Sequence, residues 1–278
     1  MKCTRLRFAH SRLSFGTKFV VGFSMAAASF SVYSQDASDL AKQLANPIAS
    51  LVSVPFQANV DWNIGPQDDG ERLTVNVQPV VPISLNDDWN LISRTILPII
   101  DQSDIFPGAG SQSGLGDTVQ SLFFSPVEPT ANGWIWGAGP VFLLPTGTDD
   151  LLGADKWGIG PTAVALRQAG PWTTGGLVNQ IWSVAGDDNR EDVSQSFVQP
   201  FFTYTTPTAL SVTLTADSTY NWKTNDWTIP IGLFAAQVFK VGSQTMQVQA
   251  GPRYYAESPE SGPEGWGARV NVVLLFPK

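Results

Sequence analysis

About a dozen runs of alternating apolar and polar residues follow one another from Ser50 to Phe276, and no other feature constrains the fold as tightly. In Arg72-Leu73-Thr74-Val75-Asn76-Val77-Gln78, the side chains of Leu73, Val75 and Val77 point one way and the polar ones the other. Each run therefore makes a strand with one apolar and one wet face. A soluble sandwich turns such apolar faces onto a core, whereas a membrane barrel turns them out to lipid around a polar lumen. The choice between these two decides the function class.

The N-terminus and the composition favour the barrel. Residues 1–34 have the form of a secretory signal peptide: Lys2, Arg5, Arg7, Arg12 and Lys18 precede an apolar stretch from Phe19 to Phe30, too short to span a bilayer. Val32 and Ser34 stand where a cleavage site before Gln35 needs small residues. Five of the 16 Lys and Arg lie in this segment and all 24 Asp and Glu lie beyond it. The remainder has 11 basic against 24 acidic residues, a net charge of −13. That excludes a nucleic-acid partner, which needs clustered Lys and Arg. The single Cys (Cys3) and single His (His10) also leave with the signal, and with them any disulfide, Cys or His metal site, or His-activated nucleophile. No cofactor is expected and an enzyme ranks third among the readings. After the signal no apolar run reaches the roughly 18 residues of a membrane helix. Ten Trp and 25 Gly in a chain of zero mean hydropathy suit a barrel with interfacial aromatic residues and many turns.

The expected organisation is an all-β antiparallel transmembrane barrel of about 12 strands over 50–278, preceded by a short periplasmic segment, 35–49. In that segment Asp39–Ala45 reads as a short helix stopped by Pro47, either a plug or a tail. The strands fall near 50–64, 71–85, 89–101, 115–126, 133–146, 156–168, 171–186, 193–206, 208–221, 226–240, 244–257 and 265–277. The third is apolar on both faces around Ile96–Ile100. Prolines 82, 98, 200, 230 and 252 mark local bends. Tight turns such as Asn86-Asp87-Asp88 and Gly242-Ser243 alternate with longer, wetter links such as 102–114 and 147–155, as periplasmic turns alternate with outer loops. Trp62, Trp89, Trp134, Trp172, Trp222, Trp227 and Trp266 fall near strand ends, where two interfacial girdles would lie.

Particular stretches resemble a known family. Trp89-Asn90-Leu91-Ile92-Ser93-Arg94-Thr95-Ile96-Leu97-Pro98 followed by Gly114-Leu115-Gly116-Asp117-Thr118, Trp136–Gly147, and Lys156–Pro161 are similar to the outer-membrane proteins of the phenol meta-degradation pathway family, often labelled transporters. The resemblance runs from about Pro47 to the end. It implies an outer-membrane barrel of a Gram-negative bacterium with a part in passage of hydrophobic or aromatic compounds, and it brings no catalytic residues. Lipid, lipopolysaccharide, the barrel-assembly machinery and a small-molecule solute are the implied partners. Pro277-Lys278 depart from the aromatic terminus usual in this compartment.

In such a barrel, function lies in the lumen and loops. By alternation, Arg72, Arg94, Arg167, Arg253 and Arg269 are expected inside, with Asp61, Asp117, Asp217 and Glu257. An Arg on the lipid face near the midplane costs about 2–4 kcal/mol. These charges either orient a polar solute or fill a narrow lumen as a salt-bridge network. In the link 102–114, Asp104, Ile105, Phe106 and Pro107 form a candidate constriction. The expected function is passive uptake of small, hydrophobic or aromatic molecules, with a closed barrel in a structural or surface-binding role as the alternative.

Overall fold

The computed structural model describes residues 34–276; the expected signal peptide, apart from Ser34, and the last two residues lie outside them. An N-terminal helix, α1 (Ser34–Leu44), precedes the strands. These are β1 (Val52–Ile64), β2 (Gly70–Val77, continued by Val80–Ser84), β3 (Trp89–Ser103), β4 (Ser111–Leu115, continued by Thr118–Pro126) and β5 (Trp134–Leu144). Then come β6 (Lys156–Ala169), β7 (Trp172–Gly186), β8 (Ser194–Thr205) and β9 (Leu210–Ala216, continued by Ser218–Asn221). The last are β10 (Asp226–Val241), β11 (Gln244–Glu257) and β12 (Gly265–Phe276). Each strand pairs antiparallel with the next, and β12 returns to β1 in a register running from Val52↔Phe276 to Asp61↔Gly267. The sheet is thus a closed 12-stranded barrel without an edge.

The three interrupted strands have a common cause. Proline offers no N–H to a ladder but keeps its carbonyl. At each interruption a backbone N–H donates to a proline carbonyl on the neighbouring strand: Gln78 to Pro55 (2.9 Å), Gly116 to Pro98 (2.9 Å) and Asp217 to Pro230 (3.2 Å). The ladder bends at these points and the wall stays closed. The tightest turns rest on glycine: Gly170 and Gly242 have φ of 57° and 60°, the left-handed region that a two-residue hairpin requires.

The outer surface is apolar, as a bilayer-spanning barrel requires. Leu73, Val81, Ile99, Val178, Val212, Leu214, Leu233 and Val270 are exposed along it. Trp89, Trp134 and Trp172 face outward at the end with short turns, where Trp89 meets Trp136 edge-on at 5.9 Å and Trp172 meets Tyr204 at 4.9 Å. Trp62, Trp222, Trp227 and Trp266 face outward at the long-loop end, with Tyr220 and Tyr254 against them. One polar residue at mid-height on this face, Gln120, is fully bonded. Its amide takes a bond from Thr95 Oγ1 (2.6 Å) and donates to Ser93 Oγ (3.1 Å) and the Arg94 and Ser121 carbonyls. That is the condition for burying an amide in lipid.

The interior is not polar throughout, contrary to what alternation alone implies. Ile92, Phe123, Val164, Leu166, Leu177 and Phe201 point inward from β3, β4 and β6–β8 and pack as one buried cluster. That half of the barrel carries an apolar packing cluster. The charged residues gather in the other half, on β1–β3 and β9–β12.

Candidate functional site

Alternation on β1, β9, β11 and β12 delivers two buried ion pairs to the lumen. Arg253 Nη1 lies 2.9 Å from Asp61 Oδ1, and its Nη2 donates to Tyr255 Oη at 3.0 Å. Arg269 Nη2 lies 2.7 Å from Asp217 Oδ2, while its Nε donates to Asn59 Oδ1 at 2.7 Å. Asp217 also accepts from Gln199 Nε2 (2.8 Å) and Thr215 Oγ1 (3.1 Å). The Arg269 guanidinium sits 4.8 Å from the centre of the Phe234 ring. Each pair reaches past intervening strands: Arg253–Asp61 links β11 to β1 over β12, and Arg269–Asp217 links β12 to β9 over β10 and β11.

The other two inward guanidiniums have amide partners. Arg72 Nε donates to Gln102 Oε1 at 2.7 Å and Arg94 Nη2 to Gln78 Oε1 at 3.0 Å. Among the described residues neither forms a salt bridge. The lumen therefore holds four Arg against two Asp in this half, an excess of positive charge.

Three expected lumen charges stand elsewhere. Arg167 is exposed on the outer face of β6, because Leu166 beside it points inward and the register pairs Arg167 with the outward Trp134. It lies at the short-turn end, where a long cation reaches the headgroup layer. Asp117 sits in the β4 interruption, where the face alternation breaks. Its carboxylate accepts the backbone N–H groups of Gly147 (3.0 Å) and Ala154 (2.6 Å). It shapes the 145–155 loop and does not present charge to the lumen. Glu257 is exposed at the long-loop end of β11, beside a register shift at Ile229/Pro230.

The expected constriction loop also differs in position. Residues 104–110 close on themselves, with Asp104 N bonded to Gly110 O at 2.9 Å, and the backbone of Ile105 lies against Gly65 and Gly70 of the neighbouring loop. Phe106 is exposed. The segment that enters the barrel is 145–155. Its Leu152 is buried against the inward positions Gly114 and Gly116, and Gln102 Nε2 donates to Leu151 O at 3.3 Å. Leu152 is the apolar residue that makes entry favourable, whereas the apolar Ile105-Phe106 is spent on the rim.

This entering loop is strapped to the 187–193 loop. Arg190 Nη2 donates to the carbonyls of Asp150 and Gly153, with Asp155 3.9 Å away. Asp192 lies 3.3 Å from Lys156 Nζ and 3.6 Å from Lys223 Nζ and accepts from Ser183 Oγ. The bond from Lys156 holds the Asp192 carboxyl below its ordinary range, with smaller contributions from Ser183 and Lys223. A carboxylate depressed in this way stabilises the loop above its ordinary pKa of about 3.9 and loses that contribution as pH falls through the lower folded value. The protection factors of the amides in 187–193 are expected to be flat from pH 8 to 5 and to fall below about pH 4. Asp192→Asn is expected to lower the protection from pH 8 to 5 and to converge on the wild type at the acid end. A wild-type loop equally protected at pH 3 would contradict this. Arg190→Ala is expected to make the 145–155 loop the first site of proteolytic nicking, with the barrel still intact.

The opposite mouth is occupied by the N-terminal segment. Ala37 and Ala41, with Leu40 and Leu44 one turn apart, form the apolar face of α1. They pack on Val238, Val273, Leu275 and Ala209. Among the described residues two polar bonds join the helix to the wall: Ser38 Oγ to Thr206 O (3.4 Å) and Gln168 Nε2 to Lys42 O (2.8 Å). Beyond Pro47, Ile48 is buried in the apolar cluster, and the missing side chain of Gly137 leaves it room. Above this segment a cavity of about 210 Å³ remains in the polar half. Gln78, Arg94, Gln199, Gln249, Arg269 and Asn271 contribute to its lining. The glutamines and Ile48 were not singled out in the sequence, although the repeated Gln on polar faces was the available signal.

No family model matches this chain, and no curated protein matches it in sequence. Its fold is shared with a solved structure, the crystal structure of an outer membrane channel from Pseudomonas putida F1. The two align with a TM-score of 0.64 at 18% identity, over 81% of this chain and 94% of that one. Outer membrane phospholipase A from Escherichia coli aligns with a TM-score of 0.43 at 14% identity, over 86% of this chain and 98% of that one. The fold is that of the barrels of the Gram-negative outer membrane.

Proposed function

We propose that this protein is an outer-membrane channel through which small solutes diffuse, with the N-terminal segment as its periplasmic gate. The observation that carries this reading is the division of the lumen. One half carries a packed apolar cluster, and the other keeps a charged, amide-lined cavity closed at one end by the 43–49 segment. A barrel needing only stability would close both halves with apolar side chains, since buried ion pairs contribute little net stability. The likeness in fold to a channel supports the same reading. Residues 1–34 act as the export signal, and lipid, lipopolysaccharide and the barrel-assembly machinery are the partners of insertion.

Passage is driven by the solute gradient. The solute meets the strapped outer loops, crosses the polar half along the Arg and Gln side chains, and leaves as α1 shifts from its shallow seat. Liposome swelling tests this. Vesicles containing the folded protein are expected to swell in small organic solutes faster than protein-free vesicles, with the rate falling as solute size rises. A barrel resistant to unfolding by sodium dodecyl sulfate without heating, yet giving no swelling with any solute, would favour the closed structural alternative.

A further inference from the structure

We infer that Arg94 is the anion-binding residue of a solute site in the polar half of the lumen, and that the site takes small organic monocarboxylates with an apolar body. The inference rests on the channel reading and names its class of cargo.

The argument begins with how the four inward guanidiniums are used. Arg253 and Arg269 are each paired with a carboxylate at 2.9 and 2.7 Å. Arg72 is bonded to the buried Gln102 and does not line the cavity. Arg94 lines it, and among the described residues its side chain makes one hydrogen bond, from Nη2 to Gln78 Oε1. A guanidinium carries five N–H donors in a planar fork, two of which match the oxygens of a carboxylate in parallel. Gln78 fixes the plane of the fork and leaves the other donors for a ligand.

A second observation comes from the same wall. Asn271 Oδ1 is buried, has no hydrogen-bond partner, and belongs to a residue lining this cavity. An amide oxygen only accepts, so it is met by a water or a donor on the body of a solute and not by the carboxylate, which belongs to Arg94. Val80, Phe201 and Val273 supply apolar lining for the body of a solute. The cavity of about 210 Å³ has room for several waters or one compact organic molecule. One charge without a carboxylate partner favours a monoanion, and a neutral solute leaves it uncompensated.

Titration calorimetry on the full chain folded in detergent tests the site, with benzoate and its uncharged counterpart benzyl alcohol as probes. Benzoate is expected to bind saturably and benzyl alcohol at least about tenfold more weakly, the scale of a charge-assisted bond. Arg94→Gln is expected to lower benzoate affinity by about tenfold to a hundredfold and to abolish the discrimination. Arg167→Gln, on the outer face, is expected to leave both unchanged. Equal affinity for the two probes, or unchanged benzoate binding in R94Q, would overturn the assignment. If R94Q does not fold, Arg94→Lys decides. A weaker affinity that still prefers benzoate supports the site, and an unaltered affinity overturns the role of the fork. Conductance separates this from the channel reading: benzoate binding without any conductance leaves the site and removes the channel, and conductance without benzoate binding does the reverse.

Discussion

Deletion of residues 35–45 is expected to raise single-channel conductance several-fold while leaving the barrel folded. The helix contributes no strand to the sheet, and among the described residues its seat in the short-turn mouth is made of two alanines, two leucines and two hydrogen bonds. An isolated helix of 11 residues is marginal in water, so most of its order comes from this contact. Removing it uncovers Val238, Val273 and Leu275 to the lumen, a cost the closed ladder from β1 to β12 can bear. Conductance in planar bilayers and heat-modifiable migration on gels are the two readouts. A deletion variant that folds and conducts like the intact chain would show that α1 does not limit passage.

The second large effect is on stability. Asp217→Ala is expected to destabilise the barrel by about 3–5 kcal/mol, the usual cost of stranding one member of a buried ion pair. Asp217 is where β9 is interrupted, and its carboxylate gathers Arg269 of β12, Gln199 of β8 and Thr215 of β9. Without it Arg269 keeps Asn59 and the Phe234 ring, neither of which neutralises it. The double variant Asp217→Leu/Arg269→Met is expected to lose less than the single one, because no charge is left stranded. Urea unfolding in detergent or vesicles reads both. A single variant within about 0.5 kcal/mol of the intact protein, the range of ordinary surface changes, would contradict the role given to this pair.

Much of the barrel is legible in the sequence because a period of two records which face each residue takes. The runs around Arg72–Gln78 and Leu210–Ala216 state their faces directly, and the link lengths separate the two ends. What alternation hides is the identity of the filling. A buried strand apolar on both faces looks the same whether it lines a core or a lumen, so the Ile92–Phe123–Leu166 cluster had only the apolar third strand as a hint. Arg167 was misplaced for a related reason. At a strand end the cost of an outward charge vanishes into the headgroup layer, so inward placement no longer follows from energy. Asp117 was misplaced because the Gly116–Asp117 interruption shifts the face, and its cause, Pro98, lies on another strand. Loop entry depends on packing partners: Leu152 finds inward-facing Gly114 and Gly116, while Ile105 and Phe106 find the rim.

The most direct test of a gated channel is single-channel conductance of a chain carrying Ser38→Cys and Thr206→Cys, two residues brought together where the Ser38 hydroxyl donates to the Thr206 backbone carbonyl. The one native cysteine, Cys3, belongs to the expected signal, so the new pair can be oxidised and reduced cleanly. The account predicts few or no openings while the bridge holds α1 in the mouth, and recovery of conductance on reduction. Conductance that is the same in the oxidised and reduced states, or absent in both, would contradict it.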